Sequence, residues 1–290
     1  MSWLLFALGA AVLLSVSSVI EKKVLFREHA MEFSAVLALF NAVLSLPLLY
    51  WADLSHVQPQ QLLVIYFASL IGTCSFLLMI KATRHLAISI SSPMFLLGPA
   101  IVAIAGYVFL GESITSLQIF GIGFLVVGSY LLQLKAGDGL ASPLRSFYSS
   151  KYLHMIFLAL IFYAAGSLAD RAVLTRYGVT PAQYIPLVHI FIALNFFFLL
   201  YVFYDGAAGI HRGVKKFGPV MLLLGVLTTT HRFLYAQAAA VAMIGLVSAI
   251  KRTSSLFTTV IGGEMFHDDN LGRKFLAALV MLGGVLLIVL

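Results

Sequence analysis

The sequence predicts an all-α membrane protein of ten transmembrane helices in two inverted five-helix repeats. Three observations carry that expectation: a composition too apolar for a soluble chain, ten apolar runs punctuated by charge, Pro and Gly, and self-similarity between the halves. Of 290 residues, 61% are hydrophobic and 10% charged, with a mean hydropathy of +1.04. A soluble chain carries about 25% charged residues. At roughly 20 apolar residues per span, this length holds about ten spans and little else.

The first span, near 3–26, begins MSWLLFALGAAVLLSVSSVIEKK. The first basic residue is Lys22, so the run lacks the basic start of a signal peptide and is read as a retained span. Further apolar runs place spans at 33–51, 61–82, 86–110 and 115–134. The connection KAGDGLASPLRSFYSSK, 135–151, then divides the chain. Five more spans follow at 152–175, 182–204, 217–240, 243–263 and 271–290, with a polar connection at 204–217. Pro93, Pro99 and Pro186 interrupt helical hydrogen bonding and mark flex points. The expected organisation is a first repeat over 1–134, a connecting loop over 135–151 and a second repeat over 152–290.

The repeat is visible in the residues. SVIEKKVLFR (18–27) aligns with SLADRAVLTR (167–176), pairing Ser18 with Ser167, Glu21 with Asp170, Lys22 with Arg171 and Arg27 with Arg176. YVFLGE (107–112) matches TVIGGE (259–264) at its Gly-Glu end, and QIFGIGFLVVG (118–128) matches RKFLAALVMLG (273–283). A unit with an odd number of spans returns the chain to the opposite side, so the second copy is inverted. Inverted repeats are the architecture of alternating-access transporters, with the site near mid-membrane. Loops after odd-numbered spans hold almost all loop Lys and Arg, while the other side holds only Arg176. The positive-inside rule puts the odd loops in the cytoplasm and both termini outside, in a multi-pass protein of the plasma (inner) membrane.

Ten spans in two halves, each closing its fourth helix with GE, resemble the drug/metabolite transporter superfamily and its EamA-like branch. The run SAIKRTSSLFTTVIGGE (248–264) is similar to the second-half signature of some members. The resemblance implies a secondary transporter of small metabolites with a central cavity, and transfers no particular substrate. The first half carries LLGPAIV (96–102) where the second has AIKRTSS, so charge is asymmetric within the repeat.

Charged residues inside apolar runs are the candidates for function, because lipid makes them costly. Lys251 and Arg252 stand about eight residues into span nine, roughly 12 Å along the helix. One reading has them snorkel to a membrane surface; the other has them bind an anionic substrate group. His231 and Arg232 interrupt span eight at a similar depth, and the short turn after span eight brings the two pairs together. His231 is either a packing residue or a proton carrier. Glu21/Lys22 and Asp170/Arg171 are candidate gates at the ends of spans one and six, or ordinary helix-end charges. Asn41 and Asn195 are candidate cavity residues or bonds between helices. Glu112 and Glu264 are read chiefly as helix-end carboxylates.

Of eleven acids, only Glu21 and Asp170 fall clearly within spans, against Lys22, Arg171, Arg232, Lys251 and Arg252. That excess favours a substrate with a carboxylate or phosphate, and a zwitterionic amino acid also fits. The single cysteine, Cys74, excludes a disulfide framework or a cysteine metal cluster. No phosphate-cradling loop, His-x-x-x-His or unified catalytic set occurs, so neither enzyme activity nor a cofactor is expected. The net charge of +7 is scattered through short loops, which argues against nucleic acid. The expected partners are a small-molecule substrate, membrane lipid, and a coupling proton or counter-substrate. A carrier or flippase of a lipid-linked phosphate, and a non-transporting membrane scaffold or receptor, are the alternatives.

Overall fold

The apolar runs fold as helices. The computed structural model describes residues 2–50, 52, 54, 57–87, 90–91, 94–111, 113–133, 148–252, 254–267 and 270–289. Among these residues there is no strand, and ten helices have eight residues or more: α1 (Ser2–Leu25), α2 (Ala30–Ser45), α3 (Pro59–His85), α4 (Gly98–Ala105), α5 (Ser116–Gln133), α6 (Lys151–Thr175), α7 (Pro181–Phe203), α8 (Ala207–Val241), α9 (Ile244–Arg252) and α10 (Leu271–Val289). Pro93 and Glu112, and all of the 135–151 connection before residue 148, lie outside the described residues.

Local chemistry sets several of the helix starts. At α7 the Thr180 hydroxyl accepts from the Gln183 N–H while the Gln183 side chain accepts from the Thr180 N–H. Pro181 fills the first helical position, where its missing N–H has no intrahelical partner to lose. The start of α3 repeats this with Gln58, Pro59 and Gln61. Pro186 lies inside α7.

Two expectations are corrected. The run read as a polar connection at 204–217 is largely helix, because α8 begins at Ala207 and continues without a break to Val241. Hydropathy ends a span where charge begins, whereas the backbone continues when the charges find partners. Here Arg212 pairs with Glu32 at 2.7 Å and with Asp205, and Lys216 with Glu28 at 2.9 Å. Spans four and nine are interrupted rather than continuous α-helices. A 3-10 turn (Phe95–Leu97) precedes α4 and a π turn (Gly106–Leu110) follows it. The helix α9 is continued by Ser254–Phe257, a π turn (Thr258–Gly262) and Gly263–Met265. The two π turns occupy matching places, each running up to the Gly-Glu pair.

Among the described residues, seven helices are long and apolar enough to cross a membrane. Large apolar side chains such as Leu5, Phe109, Phe120, Phe198 and Leu276 are exposed, an arrangement suited to lipid and costly in water. The protein is an integral, multi-pass membrane protein.

Helix packing positions the interior. α1 packs on α8 and α3 on α6; α2 packs on α8 and α3 on α7; α1 packs on α9 and α4 on α6. α2 also packs on α7, α4 on α9 and α5 on α10. At the α5–α10 contact the backbones approach closely: a Cβ at Gly121 would lie 2.5 Å from the Gly284 carbonyl oxygen, and one at Gly128 would lie 3.1 Å from the Ala277 oxygen. As the chain advances along α5, its partner position retreats along α10, so the two helices run antiparallel. Small residues at such crossings let helices meet in lipid.

Candidate functional site

The interior holds a cavity of about 220 Å³ lined by residues of both halves. α1 contributes Leu14, Ser18 and Glu21, and α6 contributes Tyr163, Ser167 and Asp170. These two sets are the same positions of the repeat, each 149 residues apart. Gly72, Ser75, Phe76 and Met79 line it from α3, and Thr228, His231, Arg232 and Tyr235 from α8. Their common spacing of i, i+3, i+4 and i+7 presents one face of each helix.

Lys251 lies in the cavity wall with 8% of its surface exposed. Its Nζ sits 3.9 Å from the centroid of the Tyr235 ring and 5.3 Å from that of Tyr163. Aromatic faces attract a cation, so the two rings help to hold the ammonium in place. The Tyr163 hydroxyl is in turn 3.1 Å from the Ser248 hydroxyl. Asp170 accepts a hydrogen bond from the Tyr184 hydroxyl and lies within electrostatic reach of Arg232 and Lys251. Arg252 ends α9, and its side chain lies outside the described residues.

The cavity gathers six of the sequence candidates: Lys251, Arg232, His231, Asn41, Glu21 and Asp170. Asn195 is elsewhere: its amide donates to Ser69 at 3.1 Å and to Thr73 at 3.3 Å, joining α7 to α3. Asn41 lines the cavity and also accepts from the Thr228 hydroxyl at 2.5 Å. Lys22 and Arg171 point to helix ends. Lys22 donates to the carbonyls of Thr83 (2.5 Å), Leu86 (2.8 Å) and Arg84 (3.3 Å) at the end of α3. Arg171 donates to the Ala239 carbonyl near the end of α8. A cation there meets unpaired carbonyls and the negative end of the helix dipole. In each half, then, the acid lines the cavity and its basic neighbour caps a helix two places on. Glu264 is exposed.

The described charges lining the cavity are Glu21, Asp170, Arg232 and Lys251, two of each sign. The positive excess seen in sequence is absorbed in part by the caps at Lys22 and Arg171. The wall supplied by the second half keeps two cations against one acid.

Sequence reasoning missed His189, Tyr163, Tyr235 and Thr228. His189 is 1% exposed and lines the cavity; its Nδ1 lies 3.2 Å from the Asn41 carbonyl oxygen. That oxygen can only accept, so Nδ1 carries the proton. Nε2 of His189 and Nδ1 of His231 are buried without a hydrogen-bond partner among the described residues. A histidine inside the apolar run of span seven was the available signal.

Residues 1–134 match the EamA-like transporter family. That family is part of the drug/metabolite transporter superfamily. A solved structure described only as a crystal structure of a protein is similar in fold over 97% of this chain and 94% of that one, with a TM-score of 0.69 at 14% identity. No curated protein matches the sequence. The matched family is one of transporters.

Proposed function

We propose that this EamA-like protein is a secondary transporter that moves a small metabolite bearing an anionic group by alternating access between two inverted halves, 1–134 and 152–290, joined by 135–151. The observation that carries the reading is the cavity itself. It lies between the halves and presents Arg232 from α8 and the ring-held Lys251 from α9. Its volume of about 220 Å³ is below the roughly 300 Å³ at which drug-sized sites begin, which supports a small metabolite over a lipid-linked one.

The packing supports inversion. Exchanging each helix of one half with its counterpart in the other turns the α1–α8 contact into α6–α3, α2–α8 into α7–α3, and α1–α9 into α6–α4, and all of these contacts exist. The fifth helices, α5 and α10, run antiparallel, as inverted copies do. Ten spans follow if the interrupted segments around α4 and α9 also cross, and broken helices lining a cavity are tolerated in membranes. The basic loops orient the odd connections to the cytoplasm of a plasma (inner) membrane. A coupling proton would reside on His231 or Glu21.

A thermal-shift panel on the purified protein tests the reading. Acetate, butyrate, inorganic phosphate and their amine counterparts are compared, and every binder is followed by uptake into sealed liposomes. Stabilisation by anions followed by saturable uptake is expected; stabilisation by the amines alone contradicts it.

A further inference from the structure

Duplication gives the cavity two walls of equal position and unequal chemistry. Phe76 stands where Arg232 stands in the other half, Met79 where Tyr235 stands, Gly72 where Thr228 stands and Leu14 where Tyr163 stands. The first-half wall is continued by Ala68 and Ile80, so apart from Glu21, the Asn41 amide and a few small hydroxyls it offers hydrocarbon and aromatic surface. The second-half wall carries Arg232, Lys251, Asp170 and two histidines, each with one buried ring nitrogen that has no partner among the described residues.

We infer that the substrate is amphipathic: a small monocarboxylate whose head meets Arg232 and Lys251 and whose apolar body lies against Phe76 and Met79. The inference rests on the proposed anionic reading and adds the second half of the molecule. A fully hydrophilic anion leaves the first-half wall facing a polar ligand and forgoes its burial. An apolar molecule without a head leaves Nδ1 of His231 unpaired, which buried polar groups resist. Only a two-faced ligand satisfies both walls. Met79 and Phe76 therefore determine specificity, while Lys251 determines the sign of the head.

Binding of straight-chain monocarboxylates from acetate to hexanoate, measured by calorimetry on the full chain in nanodiscs with empty nanodiscs subtracted, separates the two walls. Affinity should rise by up to about fourfold for each added CH₂, the full transfer value of a buried methylene. Met79→Gln should flatten that slope, while Met79→Leu keeps it. Lys251→Gln should lower binding of every member by a similar factor and leave the slope as it is. A flat series in the wild-type protein, with Lys251→Gln still weakening every acid, overturns the amphipathic inference and leaves the anionic reading standing. A preserved slope with no effect of Lys251→Gln overturns the anionic reading. If Met79→Gln misfolds, Phe76→Ser is read in its place by the same slope.

Discussion

The Nζ of Lys251 lies 3.9 Å from the centroid of the Tyr235 ring, on a helix neighbouring its own. The two residues come from α9 and α8, joined by a short turn, so the contact fixes the ammonium relative to Arg232, one turn earlier on α8. The ring face helps to hold the cation in the cavity wall. Replacing Tyr235 with Leu removes that face, and since a desolvated cation–π contact is worth about 0.5–2 kcal/mol, anion affinity should fall by roughly two- to thirtyfold. Tyr235→Phe keeps the ring and should bind nearly as well. Calorimetric titration of both variants with butyrate decides; equal losses would mean that the hydroxyl matters and the ring face does not.

The α5–α10 crossing makes a prediction about stability alone. Gly121→Leu drives a side chain into the backbone at Gly284, and overpacking of this kind costs about 1–3 kcal/mol. A lower melting temperature, followed by size-exclusion fluorescence after heating, is expected, whereas Gly123→Leu, with nothing within 4 Å of its added Cβ, should melt as the wild type does. Identical melting of both variants would show that the two helices do not meet this closely.

Glu21 and Asp170 line the cavity from matching places in the two halves, which the proposed inversion directs oppositely. Glu21→Gln and Asp170→Asn should therefore shift the accessibility of a cysteine at Ser18 toward opposite sides of the membrane, in a Cys74→Ser background. Labelling from each side by an impermeant maleimide reads the shift. Shifts in the same direction would remove the gating role.

Much of the fold could be read from sequence, because lipid demands long apolar runs and each run in turn predicts a helix. The extent of α8 could not, since its first turns are polar and their partners, Glu28 and Glu32, lie some 180 residues away. The breaks around α4 and α9 were signalled only by prolines and glycines that unbroken helices also tolerate. In the site, Arg232, Lys251, Glu21 and Asp170 stood out because charge in lipid needs a reason. His189, Tyr163 and Tyr235 did not, because such residues often satisfy themselves between helices, as Asn195 does here. The caps made by Lys22 and Arg171 depend on carbonyls more than 60 residues distant, which no local pattern reveals.

The proposed sidedness rests on the basic loops. A cysteine replacing the exposed His211, in the Cys74→Ser background, should resist an impermeant reagent in intact cells and react once the membrane is permeabilised. Labelling in intact cells would reverse the orientation.

The most direct test of the account is counterflow of radiolabelled butyrate into proteoliposomes preloaded with unlabelled butyrate, comparing the wild-type protein with Lys251→Gln and Arg232→Gln. A hydrogen bond to a charged group is worth about 1.5–3 kcal/mol, so the account predicts transient accumulation by the wild-type protein and a roughly ten- to hundredfold weaker apparent affinity in at least one variant, with both variants eluting as a single folded species. Undiminished counterflow by both variants, or its absence in the wild type alongside binding of the same acid, would contradict it.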